Sequence, residues 1–273
     1  MSLTCVLGTG KRVTKCALIT LATWILAALL LAGFGIGSAA QAQFKVRYPI
    51  VDYREFEIEH FADTTFGPAK SGQSNNQRYT NEYGFGPLPN WFVELGNEFR
   101  ALNGENITYD ATEIESYLQL CPTGKYWADV ALFGEFEFPL HRGDAKAYTF
   151  GPLIQTEFGE IAGYAALHTL NLLFTRTVGN NSTEATQLNI AWQSRLLLHP
   201  LAEPGFEYYS QIGEFLNPGT LSSQQHRIGP VLVGLQNFAP YGTIKYELGY
   251  LFGLTQATER GAIRWRLEWE IPF

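Results

Sequence analysis

The sequence predicts an all-β chain: a transmembrane up-and-down antiparallel β-barrel of about twelve strands, with ten to fourteen as the range. Three observations carry this expectation. The final stretch, Ala262 to Phe273, puts Ile263, Trp265, Leu267, Trp269, Ile271 and Phe273 on one parity and Arg264, Arg266, Glu268 and Glu270 on the other. A strand sorts those residues into two faces and a helix does not. Runs of about ten alternating residues recur from Gln43 onward, with no convincing amphipathic helix between them. The breaks also alternate, the odd-numbered ones polar and the even-numbered ones mostly short and rich in Pro or Gly, which is the rhythm of long loops at one barrel end and short turns at the other. A soluble sandwich would bury the same apolar faces against a second sheet, yet has no reason to show that rhythm.

Ahead of the first run lies a separable segment. Lys11, Arg12 and Lys15 precede an apolar run from Cys16 to Gly37, and Ala40-Gln41-Ala42 offers a small-x-small cleavage site. Residues 1–42 therefore read as a secretory signal peptide and residues 43–273 as the barrel. The run is long for a signal core, so an uncleaved helical anchor is the competing reading. The remaining chain carries 16 Lys+Arg against 26 Asp+Glu, a net charge of −10 that argues against a nucleic-acid partner. It keeps one cysteine, Cys121, which cannot form an internal disulfide and reads as a turn residue.

The first run, Asp52 to Phe61, sets Phe56 and Ile58 against Glu55, Glu57 and Glu59. A polar break, Ala62 to Gln77, follows. The second run, Arg78 to Gly86, aligns Tyr79, Tyr83 and Phe85, and Pro87-Leu88-Pro89-Asn90 turns it into the third, Trp91 to Arg100. There Trp91, Val93, Leu95 and Phe99 oppose Glu94, Gly96, Glu98 and Arg100. After a break at Asn103-Gly104-Glu105-Asn106 the fourth run, Ile107 to Leu120, alternates only if it contains a bulge. The fifth, Tyr126 to Phe138, backs Val130, Leu132, Phe136 and Phe138 onto Asp129, Glu135 and Glu137. The sixth, Ala147 to Phe158, turns tightly at Gly159-Glu160 into the seventh, Gly163 to Thr177, where Leu173 falls among the polar residues. The eighth, Thr186 to His199, directs Leu188, Ile190 and Trp192 outward and Gln187, Asn189, Gln193 and Arg195 inward. The ninth is Phe206 to Phe215 and the tenth Arg227 to Phe238. The eleventh opposes Ile244, Tyr246, Leu248, Tyr250, Phe252 and Leu254 to Lys245, Glu247, Gly249 and Gly253, and the terminal run closes the set.

On this register the inward acids are Glu55, Glu57, Glu59, Glu94, Glu98, Glu135, Glu137, Glu157, Glu247, Glu268 and Glu270, and the inward bases are Arg100, Arg195, Lys245, Arg264 and Arg266. Unpaired carboxylates cost several kcal/mol each in a dry interior, so an interior with so few bases holds water or protonated acids. Twelve strands stand between the side-chain-filled small barrels and the open large ones, which implies a narrow conduit constricted by charged residues. The expected pore lining is Glu94, Glu98, Arg100, Glu135, Glu137, Arg195, Lys245, Glu247, Arg264, Arg266 and Glu268. The expected function is a narrow passive channel for small solutes or cations. Alternatively, the same charge ladders brace a plugged, non-conducting barrel with a structural or sensing role. The outward Trp91, Trp127, Trp192, Trp265 and Trp269 are candidates for interfacial girdles contacting lipid.

An enzyme ranks third, and no catalytic, metal or cofactor site is expected. None of His60, His141, His168, His199 and His226 has a serine two residues away on its strand, and Ser194 and His199 fall on opposite faces. The histidines lack metal-ligand spacing, and there is no phosphate-binding loop.

The stretches Gly229 to Gly234 and Lys245 to Leu254, with the terminal strand, resemble a loose group of proteobacterial outer-membrane proteins, often labelled as transporters or as accessory proteins of aromatic-compound or copper-resistance pathways. The ending on Phe273 resembles the signal read by the barrel-assembly machinery. The resemblance implies the bacterial outer membrane as location and that machinery, lipid and small solutes as partners. It transfers no catalytic or binding residue. Intact-mass measurement of the purified protein should give a chain beginning at Gln43; a chain beginning at Met1 or Ser2 would show that the leader is retained.

Overall fold

The computed structural model describes residues 44–67, 76–101, 105–141, 143–183 and 185–273. The leader 1–42 and the loop positions Ser71 to Asn75, Asn103 and Gly104 lie outside the described residues.

Twelve strands form one closed antiparallel barrel in which each strand pairs with its sequence neighbours and the first pairs with the last. They are β1 (Glu55–Phe66), β2 (Gln77–Leu88), β3 (Trp91–Ala101), β4 (Thr108–Gln119), β5 (Asp129–Pro139), β6 (Lys146–Ile161), β7 (Tyr164–Val178), β8 (Gln187–Leu196), β9 (Glu203–Ile212), β10 (Gln225–Asn237), β11 (Thr243–Gly253) and β12 (Gly261–Pro272). Closure leaves no strand edge unpaired, the condition a sheet must meet in lipid. The seam pairs Glu55 with Pro272 through Phe66 with Gly261, and the Phe273 amide donates to Arg54 O at 3.0 Å. The end holding Glu55 and Pro272 carries the shorter connections and is called the turn end here; the other is the loop end.

Alternation divides the strands into an outward apolar face and an inward, mostly polar one. Leu95, Ile114, Leu132, Leu232, Leu248 and Leu267 face outward and are exposed, while their neighbours on the other parity are buried. An outward band of this size would be untenable on a soluble monomer and is the expected face toward acyl chains. Trp91, Trp127 and Trp269 gather at the turn end, where a girdle belongs, and Trp91 Nε1 donates to Ser116 Oγ at 2.7 Å. Trp192 and Trp265 instead sit at mid-strand, with rings against His168 and His60.

Leu173 faces the lumen. It packs with Ala131, Phe133 and Leu153 into a small apolar cluster, which is why it occupies the polar parity of its strand. Two sequence expectations need correction. Arg100 keeps the inward parity, opposite Arg78 on β2, but stands at the loop end: it pairs at 3.0 Å with Asp110, the extra residue of a bulge in β4, with over a third of its side chain exposed, outside any constriction. Glu157 is exposed as well, because the β6–β7 hairpin runs past the last rung between β5 and β6, Asp129 opposite Gln155.

The outward apolar face makes a direct stability prediction. Leu248, mid-strand in β11 opposite Leu232 and Trp265, should tolerate alanine, whereas Leu248→Arg should destabilise the barrel by about 2–4 kcal/mol in denaturant titrations from lipid vesicles. An unchanged midpoint would place this face away from lipid.

Candidate functional site

The lumen is occupied by the chain itself. Residues 44–51 precede β1 and run inside the barrel, with Phe44, Lys45, Val46, Arg47 and Val51 all buried. The segment forms no strand. Side chains of the wall hold its backbone instead: Asn171 accepts from the Arg47 amide and donates to the Arg47 carbonyl, both at 2.8 Å, as an opposing strand would. Gln119 accepts from the Val51 amide at 3.0 Å, and the Tyr117 hydroxyl donates to Ile50 O at 3.0 Å. Each bond satisfies a backbone group that neither water nor a ladder reaches.

Its side chains supply the missing counter-ions. Lys45 Nζ pairs with Glu82 and lies 3.3 Å from Glu59 Oε1 and 3.5 Å from Glu94 Oε2, with Phe61 5.1 Å beneath it. Arg47 grips Glu115 through Nε (3.0 Å) and Nη2, reaches Glu135 at 3.1 Å, and stacks over Phe133 at 4.6 Å. The Tyr48 hydroxyl donates to Glu247 at 2.8 Å, between the guanidinium groups of Arg195 and Arg266. At the inner end Phe44 packs with Ala191, Tyr209, Leu251 and Ala262 under Arg227.

All eleven expected lining residues fall on the inward parity, Arg100 at the loop-end mouth, and the structure joins most of them into one network. Arg266 pairs with Glu59, Glu247 and Glu268, and Arg264 pairs with Glu207 and Glu247. Lys245 pairs with Glu268 at 3.1 Å and with Glu270, and Arg195 with Glu203 at 3.3 Å. Glu98, Glu135 and Glu137 line a cavity of about 70 Å³ on the loop side of the segment, and Glu94 lines a larger one of about 280 Å³ toward the turn end.

Lys45, Arg47 and Tyr48 escape the sequence reading, as do Glu82, Glu113, Glu115 and Glu207. The four glutamates lie on the inward parity of their strands and were detectable there. For the segment the one signal is a surplus of inward acids, which calls for cations without saying where they come from.

A buried charge stripped of its partner is far costlier than a rim pair lost to water. Arg47→Ala, which strands Glu115 and Glu135, should lower stability by about 3–5 kcal/mol, while Arg100→Ala should cost at most about 1 kcal/mol. Equal losses in denaturant titration would mean that the lumen is well hydrated around Arg47.

No protein-family model matches this chain, and no curated protein does. Solved structures do. The beta domain of the Bordetella autotransporter BrkA superposes with a TM-score of 0.54 at 9% identity, over 81% of this chain and 100% of that one. The translocator domain of the autotransporter NalP from Neisseria meningitidis gives 0.47 at 12% identity over 95% and 98%, and the Acinetobacter baumannii outer membrane protein Omp33 gives 0.43 at 10% over 81% and 98%. Closed at twelve strands, apolar outside and ionic within, the chain has the fold of the bacterial outer-membrane β-barrels.

Proposed function

We propose that this protein resides in the bacterial outer membrane as a narrow passive channel for small cations, and that its own segment 44–51 closes the lumen in the resting state. The observation that supports this most is the identity of what fills the acidic wall: Lys45 and Arg47, two cations presented on a peptide held by side chains alone. A wall of Glu59, Glu82, Glu94, Glu115 and Glu135 favours cations over anions once that peptide moves, as rings of carboxylates do in cation pores. Delivery to the membrane would proceed through the assembly machinery, with β12 and the exposed Phe273 as the element recognised. A second reading, a permanently shut structural or sensing barrel, draws on the small volume of the two cavities beside the segment.

Planar-bilayer recording separates the two. The wild-type protein should be nearly silent in potassium chloride, and Lys45→Ala/Arg47→Ala should open steady conductance with a reversal potential of cation sign. A double variant that keeps its heat-modifiable electrophoretic mobility yet stays silent would favour the shut barrel. Anion preference would overturn the cation assignment.

A further inference from the structure

Lys45 stands in a cage that is better suited to a metal ion than to an ammonium. Glu59 on β1, Glu82 on β2 and Glu94 on β3 bring one carboxylate oxygen each within 4.8 Å of one another, and all three are buried. An ammonium has three protons to donate, whereas three carboxylates offer six oxygens. The shortfall shows: Glu82 Oε1 and Glu94 Oε1 are buried and accept no hydrogen bond, although Glu82 is fully enclosed and the cost of such an orphaned acceptor is high. Arg266 also pairs with Glu59 but is shared with Glu247 and Glu268, so the cage keeps a net negative charge that a divalent ion in place of the ammonium would offset. The cavity of about 280 Å³ borders Lys45, Glu59 and Glu94, so the cage has an approach from the turn end and room beside it for several waters.

We propose that Glu59, Glu82 and Glu94 form a site for a hard divalent cation, of the Ca²⁺, Mg²⁺ or Mn²⁺ class, for which Lys45 is a tethered competitor. The donors are all carboxylate oxygens, with no imidazole or thiolate, which is the set those ions take and which softer metals do not prefer. Waters from the adjoining cavity complete the coordination sphere. Binding expels the ammonium and with it one of the two ionic anchors of segment 44–51. That second consequence rests on the closing role proposed above; the binding itself does not.

The test uses full-length mature protein refolded into a zwitterionic detergent, free of the lipopolysaccharide that would itself hold divalent ions. Free Mn²⁺ is followed by electron paramagnetic resonance during titration, with Ca²⁺ and Mg²⁺ as competitors. Lys45→Gln should bind one Mn²⁺ per chain at least tenfold more tightly than the wild type, and Lys45→Gln/Glu82→Gln should lose that gain. Identical titrations of these two variants, or no gain over the wild type, would overturn the site. If Lys45→Gln does not fold, Glu82→Gln alone is compared with the wild type, and equal Mn²⁺ binding by those two overturns it equally. Conductance is recorded separately in monovalent salt with a chelator, so that a silent barrel that still binds Mn²⁺ sinks the channel reading and leaves the site standing.

Discussion

Like charges set directly opposite one another on neighbouring strands are the constraint around which this lumen is built. The register faces Glu268 with Glu59 and Glu59 with Glu82, a row that continues across Gly96 to Glu113 and Glu137, and on the next row Glu94 with Glu115 and Glu115 with Glu135. Such pairs repel across a sheet, and the low dielectric of a barrel interior enlarges the penalty. Cations interleaved among the rows convert repulsion into attraction. Arg266 and Lys245 do so from the wall, and Lys45 and Arg47 do so from a peptide that belongs to no strand. The acid wall and the N-terminal segment are therefore one structural unit, even though no backbone ladder joins them.

The opposite wall has the complementary task. β7 and β8 present Thr169, Asn171, Gln187 and Gln193, neutral groups able to donate and accept, where β1 to β5 present carboxylates. Asn171 closes a two-bond ring with the Arg47 backbone, and Gln193 donates to Glu207 at 2.8 Å. Amide side chains thus stand in for a neighbouring strand. A segment paired to the sheet by its backbone would have been a thirteenth strand, and removing it would have opened an edge. Held by side chains, it contributes no rung to the barrel.

Much of this was legible in the sequence, because a strand's parity is visible to anyone who counts. Glu247, Arg264, Arg266 and Glu268 were placed inward by alternation alone, and Ile263, Leu267 and Trp269 outward. Arg100 points inward as alternation predicts, opposite Arg78, but at the loop-end mouth rather than in a constriction. Glu157 departs for the same reason: alternation says which way a residue points and nothing of where the barrel wall stops. Leu173 looked anomalous only because a polar face was assumed to be uniformly polar, whereas the lumen contains an apolar cluster. The segment Phe44 to Val51 was beyond reach altogether. It makes no repeating contact, so no period encodes its partners.

An ionic filling also differs in kind from an apolar one. Had β1 to β5 carried leucines inward, packing would have sealed the barrel more firmly, since well-packed apolar groups commonly match or exceed buried ion pairs in stability. Leucines have no alternative partner in water, and a lumen filled with them would stay shut. Carboxylates and cations each exchange one partner for another, a side chain for water or for an ion, at a cost set by the difference between two favourable states. The cavity beside Lys45, Glu59 and Glu94 puts room for the second state next to the first. Charge in this interior thus forgoes some apolar packing for groups whose partners water and ions could equally supply.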